Sequence, residues 1–182
     1  KNYNLAYNYE KKKIEEKDLI SIVDQMRLGN IKGINVTLPY KEKIIKFMDE
    51  LDESAKTCGA VNTIYKKRNK IIGANTDGKG FIESLQKDKN FNLEGKNFLI
   101  IGSGGASLGI IAELKKYKVK KIQICNRTKK NAEKIFSLFN SKTFPIETIE
   151  WNNILPSKDI DIIVNTSSFG MDHTECINID FS

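Results

Sequence analysis

The pattern of apolar and polar positions in the first half of the chain predicts a mixture of helices and strands. Apolar residues recur at helical spacing over residues 18–28, and Gly29 then supplies a stop signal. The stretch "IKGINVTL" alternates apolar and polar residues, which predicts a strand with one polar face. "KEKIIKFMDEL" returns to helical spacing, "AVNTIYKKRNKIIGAN" predicts two strands around a turn at residues 68–69, and a short helix is expected over residues 78–85.

The second half has the pattern of a parallel α/β sheet. "NFLIIG", "KIQIC" and "DIDIIVN" predict buried strands, and "GASLGIIAELKKY" and "KKNAEKIFSLF" predict helices between them. Strands that alternate with helices are joined by crossover connections, so we expect their sheet to be parallel. The polar stretch over residues 86–96 separates the two patterns, and we place a domain boundary between residues 85 and 86.

Composition narrows the class of protein. A chain of 182 residues that is 40% hydrophobic can build one large or two small cores, and no apolar run approaches the roughly 18 residues of a membrane span. The net charge is +7, but the lysines are scattered and lack interleaved aromatic residues, so we expect a solvated surface rather than a nucleic-acid site. A basic surface would also attract small anionic ligands. Cys58, Cys125 and Cys176 form no metal or redox motif, so we expect reduced thiols, no metal site and a soluble, cytoplasmic protein.

The motif "IIGSGGASLG" predicts a dinucleotide site. It places Gly102, Gly104 and Gly105 directly after a strand and at the start of a helix. Glycines there permit a tight turn and a close approach of the backbone to a pyrophosphate, and the free N–H groups of the helix bind its negative charge. Ser107 stands at the third glycine position of the usual fingerprint, and a glycine turn without a ligand is the alternative.

The next strand favours NADP over NAD. NAD sites usually carry a carboxylate after the second strand, whereas "QICNRTKK" supplies Asn126, Arg127 and Thr128. A guanidinium at this place can pair with a 2′-phosphate, although an arginine on an exposed surface is the alternative.

The strand in "IVNTSSFGM" ends in small polar residues and a glycine. The carboxyl end of such a strand lines the ligand crevice of an open α/β sheet, although a plain loop is the commoner reason for such a stretch. The residues expected to approach the nicotinamide half are Asn165, Thr166, Ser167 and Gly170.

Lys41 in "GINVTLPYKEK" is a candidate for proton transfer. If a helix begins near Tyr40, Lys41 lies in line with the apolar stripe of Ile44, whereas Lys43 and Lys46 face the polar side. A partly buried lysine in a cleft can serve as an acid or base. On spacing alone, a lysine with a buried stem and a solvated ammonium is the commoner interpretation.

Asp77 in "GANTDGKGF" is the candidate partner of Lys41. On sequence alone its commoner role is the N-cap of the following helix, with its carboxylate bonded to the amide near Gly80. Yet several polar residues stand at strand positions where apolar residues are expected, which suggests a site for a polyhydroxylated ligand. These residues are Asn35, Thr37, Asn62, Asn75 and Asp77.

Six motifs together resemble the shikimate dehydrogenase family: "GINVTLPYKEK", "CGAVNTIY", "GANTDGKGF", "IGSGGAS", "CNRT" and "VNTSSFGM". The resemblance implies an α/β substrate domain over residues 1–85 and an NADP-binding Rossmann-like domain over residues 86–182. It also implies a cleft in which NADPH reversibly reduces 3-dehydroshikimate to shikimate, a step in aromatic amino acid and chorismate biosynthesis. A quinate/shikimate dehydrogenase that uses NAD or NADP, and a nucleotide-binding regulatory protein without catalysis, are the alternatives.

The resemblance also implies roles for particular residues. Lys41 matches the catalytic lysine, Asp77 the aspartate that binds substrate and assists proton transfer, and Thr37 and Asn62 the substrate-binding threonine and asparagine. Cofactor positions match the following residues: Gly102, Ser103, Gly104, Gly105, Ala106, Asn126, Arg127 and Thr128, with Glu53 near the cofactor.

The chain departs from the family pattern in three places. An early Ser-x-Ser element for the substrate carboxylate and a closing segment with a glutamine and a glycine are not found, so we expect a partial chain. Asn131 replaces a second basic residue that often follows the Asn-Arg-Thr segment.

Overall fold

The computed structural model describes residues 7–89, 91–151 and 159–170. The elements of the first half are helix α1 (Leu19–Arg27), strand β1 (Gly33–Asn35), strand β2 (Glu50–Leu51), helix α2 (Glu53–Cys58), strand β3 (Thr63–Lys67) and strand β4 (Lys70–Ala74). The strands form a sheet in the order β1-β3-β4-β2, in which β2 runs parallel to β4 and the other pairs are antiparallel.

Two predicted elements of this half are confirmed. Helix α1 buries its apolar stripe, including Leu19 and Met26, against the sheet, and Gly29 follows with a φ of +86°. Strands β3 and β4 form a hairpin whose turn residues, Arg68 and Asn69, both have positive φ, as a tight turn that matches strand twist requires.

The predicted helix in "KEKIIKFMDEL" is wrong. Only a 3-10 helix forms, over Lys43–Phe47, and the chain then enters strand β2. The reason is the free edge of β4: the N–H groups of Asp49 and Asp52 donate to the carbonyls of Ile71 and Gly73, each at 2.9 Å. The backbone N–H groups that a longer helix would have bonded internally therefore bond to the sheet instead.

The predicted strand in "IKGINVTL" is shorter than expected. Pairing with β3 ends at Asn35, and Val36 is the last residue of the run to be buried. Leu38, the last apolar residue of the alternating run, is 59% exposed because the chain has already left the sheet.

The second half is a parallel sheet, as predicted. Its elements are strand β5 (Asn97–Ile101), helix α4 (Gly105–Leu114), strand β6 (Lys121–Cys125), helix α5 (Lys129–Phe139), strand β7 (Ile146–Ile149) and strand β8 (Ile162–Asn165). The strand order is β7-β6-β5-β8, with every neighbouring pair parallel. Strands β6 and β7 lie on one side of β5 and β8 lies on the other, so the order of strand addition reverses at β5, which is where open parallel sheets bind their ligands.

Strand β7 was not expected from the sequence. It lies at the edge of the sheet, where two of its four residues are exposed, and Pro145 precedes it. A short edge strand lacks the continuous apolar run that marks β5 and β6.

Helix α3 (Asp77–Lys89) connects the two halves and is longer than the predicted helix over residues 78–85. It packs on α4, and Ile82 lies in the same apolar core as Phe98 and Ile111. Cys58 and Ala60 of the first half also join this core. Helix α3 runs across the boundary that we placed between residues 85 and 86. The division of the chain into two domains stays a prediction. Within the described ranges, no helix combines the length and apolar character of a membrane span.

Candidate active site

Lys41 and Asp77 form an ion pair where the two halves of the chain meet. Lys41 Nζ lies 2.7 Å from Asp77 Oδ2, and the two side chains are 14% and 25% exposed. The backbone carbonyl of Lys41 accepts a 2.7 Å bond from the N–H of Val61, which fixes the start of the side chain. A partly buried, directly bonded pair of this kind can hold a proton at a defined position beside a ligand.

The predicted orientation of Lys41 is confirmed, although the helix that suggested it is not. Lys41 lies in a turn before the 3-10 helix, and Ile44 beside it is buried. Lys43 and Lys46 are exposed, and Lys43 pairs with Glu16 instead.

Asp77 does not cap helix α3, so the capping prediction is wrong. The N–H of Gly80 donates to the backbone carbonyl of Thr76 at 2.9 Å. The carboxylate of Asp77 instead accepts from Lys41 and, at Oδ1, from Asn62 Nδ2 at 2.6 Å. A residue 36 positions away in the chain, Lys41, therefore determines which bond the Asp77 carboxylate makes.

Asn62 is buried and holds the beginning of helix α3. Its Oδ1 accepts from the N–H of Thr76 at 3.0 Å and from the hydroxyl of Thr63 at 2.8 Å. Asn75 Oδ1 accepts from the N–H of Asp77 at 3.0 Å. These amides fix the backbone beneath Asp77, so the carboxylate is placed by a network rather than by its own rotamer alone.

Thr37 lies on the exposed stretch before Lys41. Its hydroxyl is 3.5 Å from the carbonyl of Leu38, a distance too long for a strong bond, so it is available to a ligand. Glu53 stands apart from this cluster, in the exposed first turn of α2, where it lines a shallow cavity with Ser54, Asn75, Gly78 and Gly109.

The glycine loop begins where β5 ends. Gly102 has a φ of +105°, and a Cβ on it would lie 2.7 Å from Thr166 Oγ1 of the neighbouring strand end. Ser103 and Gly104 follow, and Gly104 precedes the first residue of α4, Gly105. The N–H groups at this helix start can cradle an anion, as the sequence predicts for a pyrophosphate.

Ser107 and Thr166 join the glycine loop to β8. Ser107 is fully buried, its Oγ lies 2.6 Å from Thr166 Oγ1, and the Thr166 hydroxyl donates to the carbonyl of Ile101 at 2.8 Å. The Thr166 side chain is therefore used within the protein. Ala106 lies between Gly105 and Ser107 and is partly exposed.

The ends of β6, β7 and β8 meet in a stack of side chains that sequence reasoning missed. The guanidinium carbon of Arg127 lies 5.5 Å from the ring centre of Phe169, and that ring lies 5.0 Å from Trp151 at an angle of 43°. Asn126 Nδ2 donates to the carbonyl of Thr128 at 2.9 Å and shapes the turn that carries Arg127. An isolated Phe or Trp in a loop carries no sequence signal for such a contact.

Asn165 organises the loop after β8. Its Oδ1 accepts from the N–H of Ser167 at 3.0 Å and from the Ser167 hydroxyl at 2.6 Å, while Nδ2 donates to the carbonyl of Phe169. Asn165 and Ser167 therefore hold the loop that presents Phe169 to Arg127.

The described cysteines offer no reactive thiolate. Cys58 and Cys125 are free and buried, and burial raises the pKa of Cys125 to about 11. Burial also raises the pKa of Cys58. Cys176 lies outside the described residues. No cluster of three or more metal-binding side chains was found within the described ranges.

Comparison with known proteins gives matches over both halves. A family model described as the shikimate dehydrogenase substrate binding domain matches residues 1–64, and one described as shikimate / quinate 5-dehydrogenase matches residues 83–172. A shikimate dehydrogenase (NADP(+)) of Pelagibacter ubique is 40% identical over 182 residues, which cover all of this chain and 65% of that protein.

Solved structures are similar as well. Shikimate 5-dehydrogenase of Listeria monocytogenes, in complex with shikimate and NAD, has a TM-score of 0.76 at 32% identity and is matched over 88% of this chain and 58% of its own. A 5-ketofructose reductase of Gluconobacter has a TM-score of 0.79 at 33% identity, over 92% and 61%. The chain thus spans slightly less than two thirds of these relatives. Two models that describe parts of shikimate dehydrogenases match residues 1–64, which include Lys41, and residues 83–172, which include the glycine loop, and the chain therefore belongs to the shikimate dehydrogenase family.

Proposed function

We propose that this chain supplies the catalytic cleft of an NADP-dependent shikimate dehydrogenase, which reversibly reduces 3-dehydroshikimate to shikimate. The observation that carries the proposal is the Lys41–Asp77 ion pair, placed directly beside the glycine loop. A carbonyl reductase needs a proton donor within reach of the hydride donor, and these two features bring both requirements to one place.

The residues of the loop fit a dinucleotide. Gly102 turns the chain at the end of β5 with a φ of +105°, and Gly104 leaves the start of α4 uncrowded, since a Cβ on it would lie no closer than 4.0 Å to the nearest side chain. NADPH, when bound, supplies the hydride for the carbonyl carbon. The exposed guanidinium of Arg127, with no carboxylate in the Asn126–Thr128 segment, favours the 2′-phosphate of NADP over the free hydroxyl of NAD.

Lys41 supplies the proton in this proposal. Its ammonium donates a proton to the carbonyl oxygen as negative charge develops there, and the neutral amine then recovers a proton from water, which reaches the partly exposed pair. Asp77 accepts a bond from Lys41 through Oδ2 and thereby fixes the ammonium on the reacting side. Asn62 and Asp77, together with the exposed hydroxyl of Thr37, offer donors and acceptors to the ring hydroxyls of the substrate.

Specific observations favour two other substrates, quinate and 5-ketofructose. The family model over residues 83–172 is described as shikimate / quinate 5-dehydrogenase, and one similar structure is a 5-ketofructose reductase. Both substrates are polyhydroxylated, and the polar cluster at Asn62 and Asp77 suits either of them chemically.

The test is NADPH oxidation by the full-length protein, followed by absorbance with 3-dehydroshikimate, 3-dehydroquinate and 5-ketofructose in parallel. We expect the highest kcat/KM with 3-dehydroshikimate, and a lower value when NADH replaces NADPH. Preference for another ketone would change the substrate and keep the reaction. Tight binding of NADPH without turnover of any of the three would refute the enzymatic proposal.

A further inference from the structure

Gly105 is a glycine that the nucleotide fingerprint does not require. The fingerprint positions are occupied by Gly102, Gly104 and Ser107, and Gly105 lies between the last two. It is the first residue of α4, and its φ is outside the positive range that favours glycine. In a helix, glycine is about 1 kcal/mol less favourable than alanine, so a reason for its presence lies elsewhere.

The neighbour of Gly105 is the stem of Lys41. A Cβ on Gly105 would lie 3.0 Å from both Cβ and Cδ of Lys41 and 3.4 Å from Cβ of Ala60. Carbon atoms in good contact are about 3.5 to 4.0 Å apart, so an added methyl group would push the lysine stem. The bare backbone of the glycine loop is thus one wall of the space that holds Lys41.

Lys41 has little freedom to yield to such a push. Its backbone is held by Val61 and its ammonium by Asp77, each through a 2.7 Å bond. A displacement of the stem is therefore passed on to the position of Nζ, and a misplacement of about 1 Å can lower a rate about a hundredfold.

We propose that Gly105 is a positioning residue for Lys41, so that the nucleotide loop itself sets the place of the proton donor. The inference rests on the proposed function for the role of Lys41, but the contact does not depend on which ketone is reduced. Gly105 thus has a role other than phosphate binding. Its contact with Lys41 couples the two halves of the chain at the place where the carbonyl group would receive hydride on its carbon and a proton on its oxygen.

The test is the Gly105→Ala variant of the full-length protein, with Gly80→Ala as the matched control, because a Cβ on Gly80 meets no atom within 4 Å. Alanine keeps the N–H group of residue 105, so the Kd for NADPH, measured by fluorescence titration, should change less than threefold. We expect kcat to fall about tenfold or more for Gly105→Ala and to stay unchanged for Gly80→Ala.

A second comparison shows whether Gly105 acts through Lys41. In a Lys41→Ala background, Gly105→Ala should lower the residual turnover less than twofold, since alanine at position 41 keeps Cβ but has no ammonium for the added methyl group to misplace. An equal loss in both backgrounds, or a loss of NADPH affinity that accounts for the whole effect, would overturn the inference.

A third measurement does not need turnover. The rate at which an amine-acylating reagent modifies Lys41, followed by mass spectrometry, should differ at least threefold between wild type and Gly105→Ala, and an unchanged rate would count against the inference. An inactive wild type with this difference intact would refute the proposed function and keep the contact. If Gly105→Ala does not fold, the same labelling is done on Gly105→Ala/Ala60→Gly, which removes the 3.4 Å neighbour.

Discussion

Gly78 and Gly109 bring helices α3 and α4 into direct backbone contact. A Cβ on Gly78 would lie 2.1 Å from the carbonyl oxygen of Gly109, and a Cβ on Gly109 would lie 2.7 Å from Asn75 Oδ1. Helix α3 begins with Asp77, and α4 begins at the glycine loop. This close crossing therefore sets the distance between the ion pair and the nucleotide loop.

The crossing predicts that Gly78→Ala is destabilising. The obstacle to a new methyl group is backbone, which no change of rotamer can relieve, and overpacking of this kind typically costs about 1–3 kcal/mol. Chemical denaturation should therefore show a lower free energy of unfolding. Gly80→Ala, two residues further along the same helix and free of contacts, should be neutral or slightly stabilising. Equal stabilities of the two variants would contradict the crossing.

Removal of the Lys41 ammonium should abolish most of the turnover. General acid catalysis typically contributes about a hundredfold to ten-thousandfold, so we expect Lys41→Ala to lower kcat by at least that lower figure. Substrate binding, measured by calorimetry with shikimate, should change much less. Lys43→Ala is the control, because Lys43 is exposed and pairs with Glu16. A kcat within threefold of wild type for Lys41→Ala would exclude Lys41 as the donor.

Arg127 should determine the preference of the enzyme for NADPH over NADH. A charge-assisted bond to a phosphate is worth about 1.5–3 kcal/mol, so Arg127→Gln should raise the KM for NADPH about tenfold to a hundredfold. The KM for NADH, which lacks the phosphate, should change less than twofold. Lys142→Gln, which removes an exposed cation after α5, should alter neither value. Equal losses with both cofactors would assign Arg127 to a part that they share.

Phe169 should affect the binding of NADPH through its contact with Arg127. Its ring lies under the guanidinium at 5.5 Å, and an exposed cation–π contact is worth about 0.5–1 kcal/mol. Phe169→Leu keeps an apolar side chain but loses the ring face, so the KM for NADPH should rise about two- to fivefold. Phe169→Tyr should restore it. In an Arg127→Gln background the leucine variant should have no further effect, and an additive loss would show that the ring acts independently.

Local patterns predict those parts of the site that lie within one motif. The glycine loop follows directly from a strand, three glycines and a helix, and Lys41 stands out because it shares the apolar stripe of Ile44 at helical spacing, whereas Lys43 and Lys46 do not. Asp77 was assigned a capping role because capping is the local use of an aspartate before a helix. Its actual partners, Lys41 and Asn62, come from other elements and outcompete that local bond.

Features that depend on contacts between distant elements could not be predicted. Strand β2 has two residues and no periodicity, and it exists because β4 offers it an edge. Phe169 contacts both Arg127 and Trp151 only after three strands have aligned their carboxyl ends. The same reason hides the role of Gly105, whose neighbour Lys41 is 64 residues earlier in the chain (105 − 41 = 64).

Asp49 should make stability depend on pH in the acid range. The N–H of Ile71, at 2.7 Å, and the guanidinium of Arg27 both bind the carboxylate and hold the pKa of Asp49 below its usual value. A depressed pKa in the folded state stabilises the protein above the unfolded pKa of about 3.9, and this contribution is lost as pH falls through the folded value.

Asp49→Ala should therefore destabilise the protein by about 1.5–3 kcal/mol at pH 7, the range for hydrogen bonds to a charged group. The difference between wild type and variant, measured by urea denaturation, should shrink below pH 4. Asp24→Ala is the control, because Asp24 lies 3.7 Å from the same arginine and its side chain is 55% exposed, so it should have little effect at any pH. A difference for Asp49→Ala that stays constant from pH 7 to pH 3 would mean that packing, rather than the charge of Asp49, is what the substitution removes.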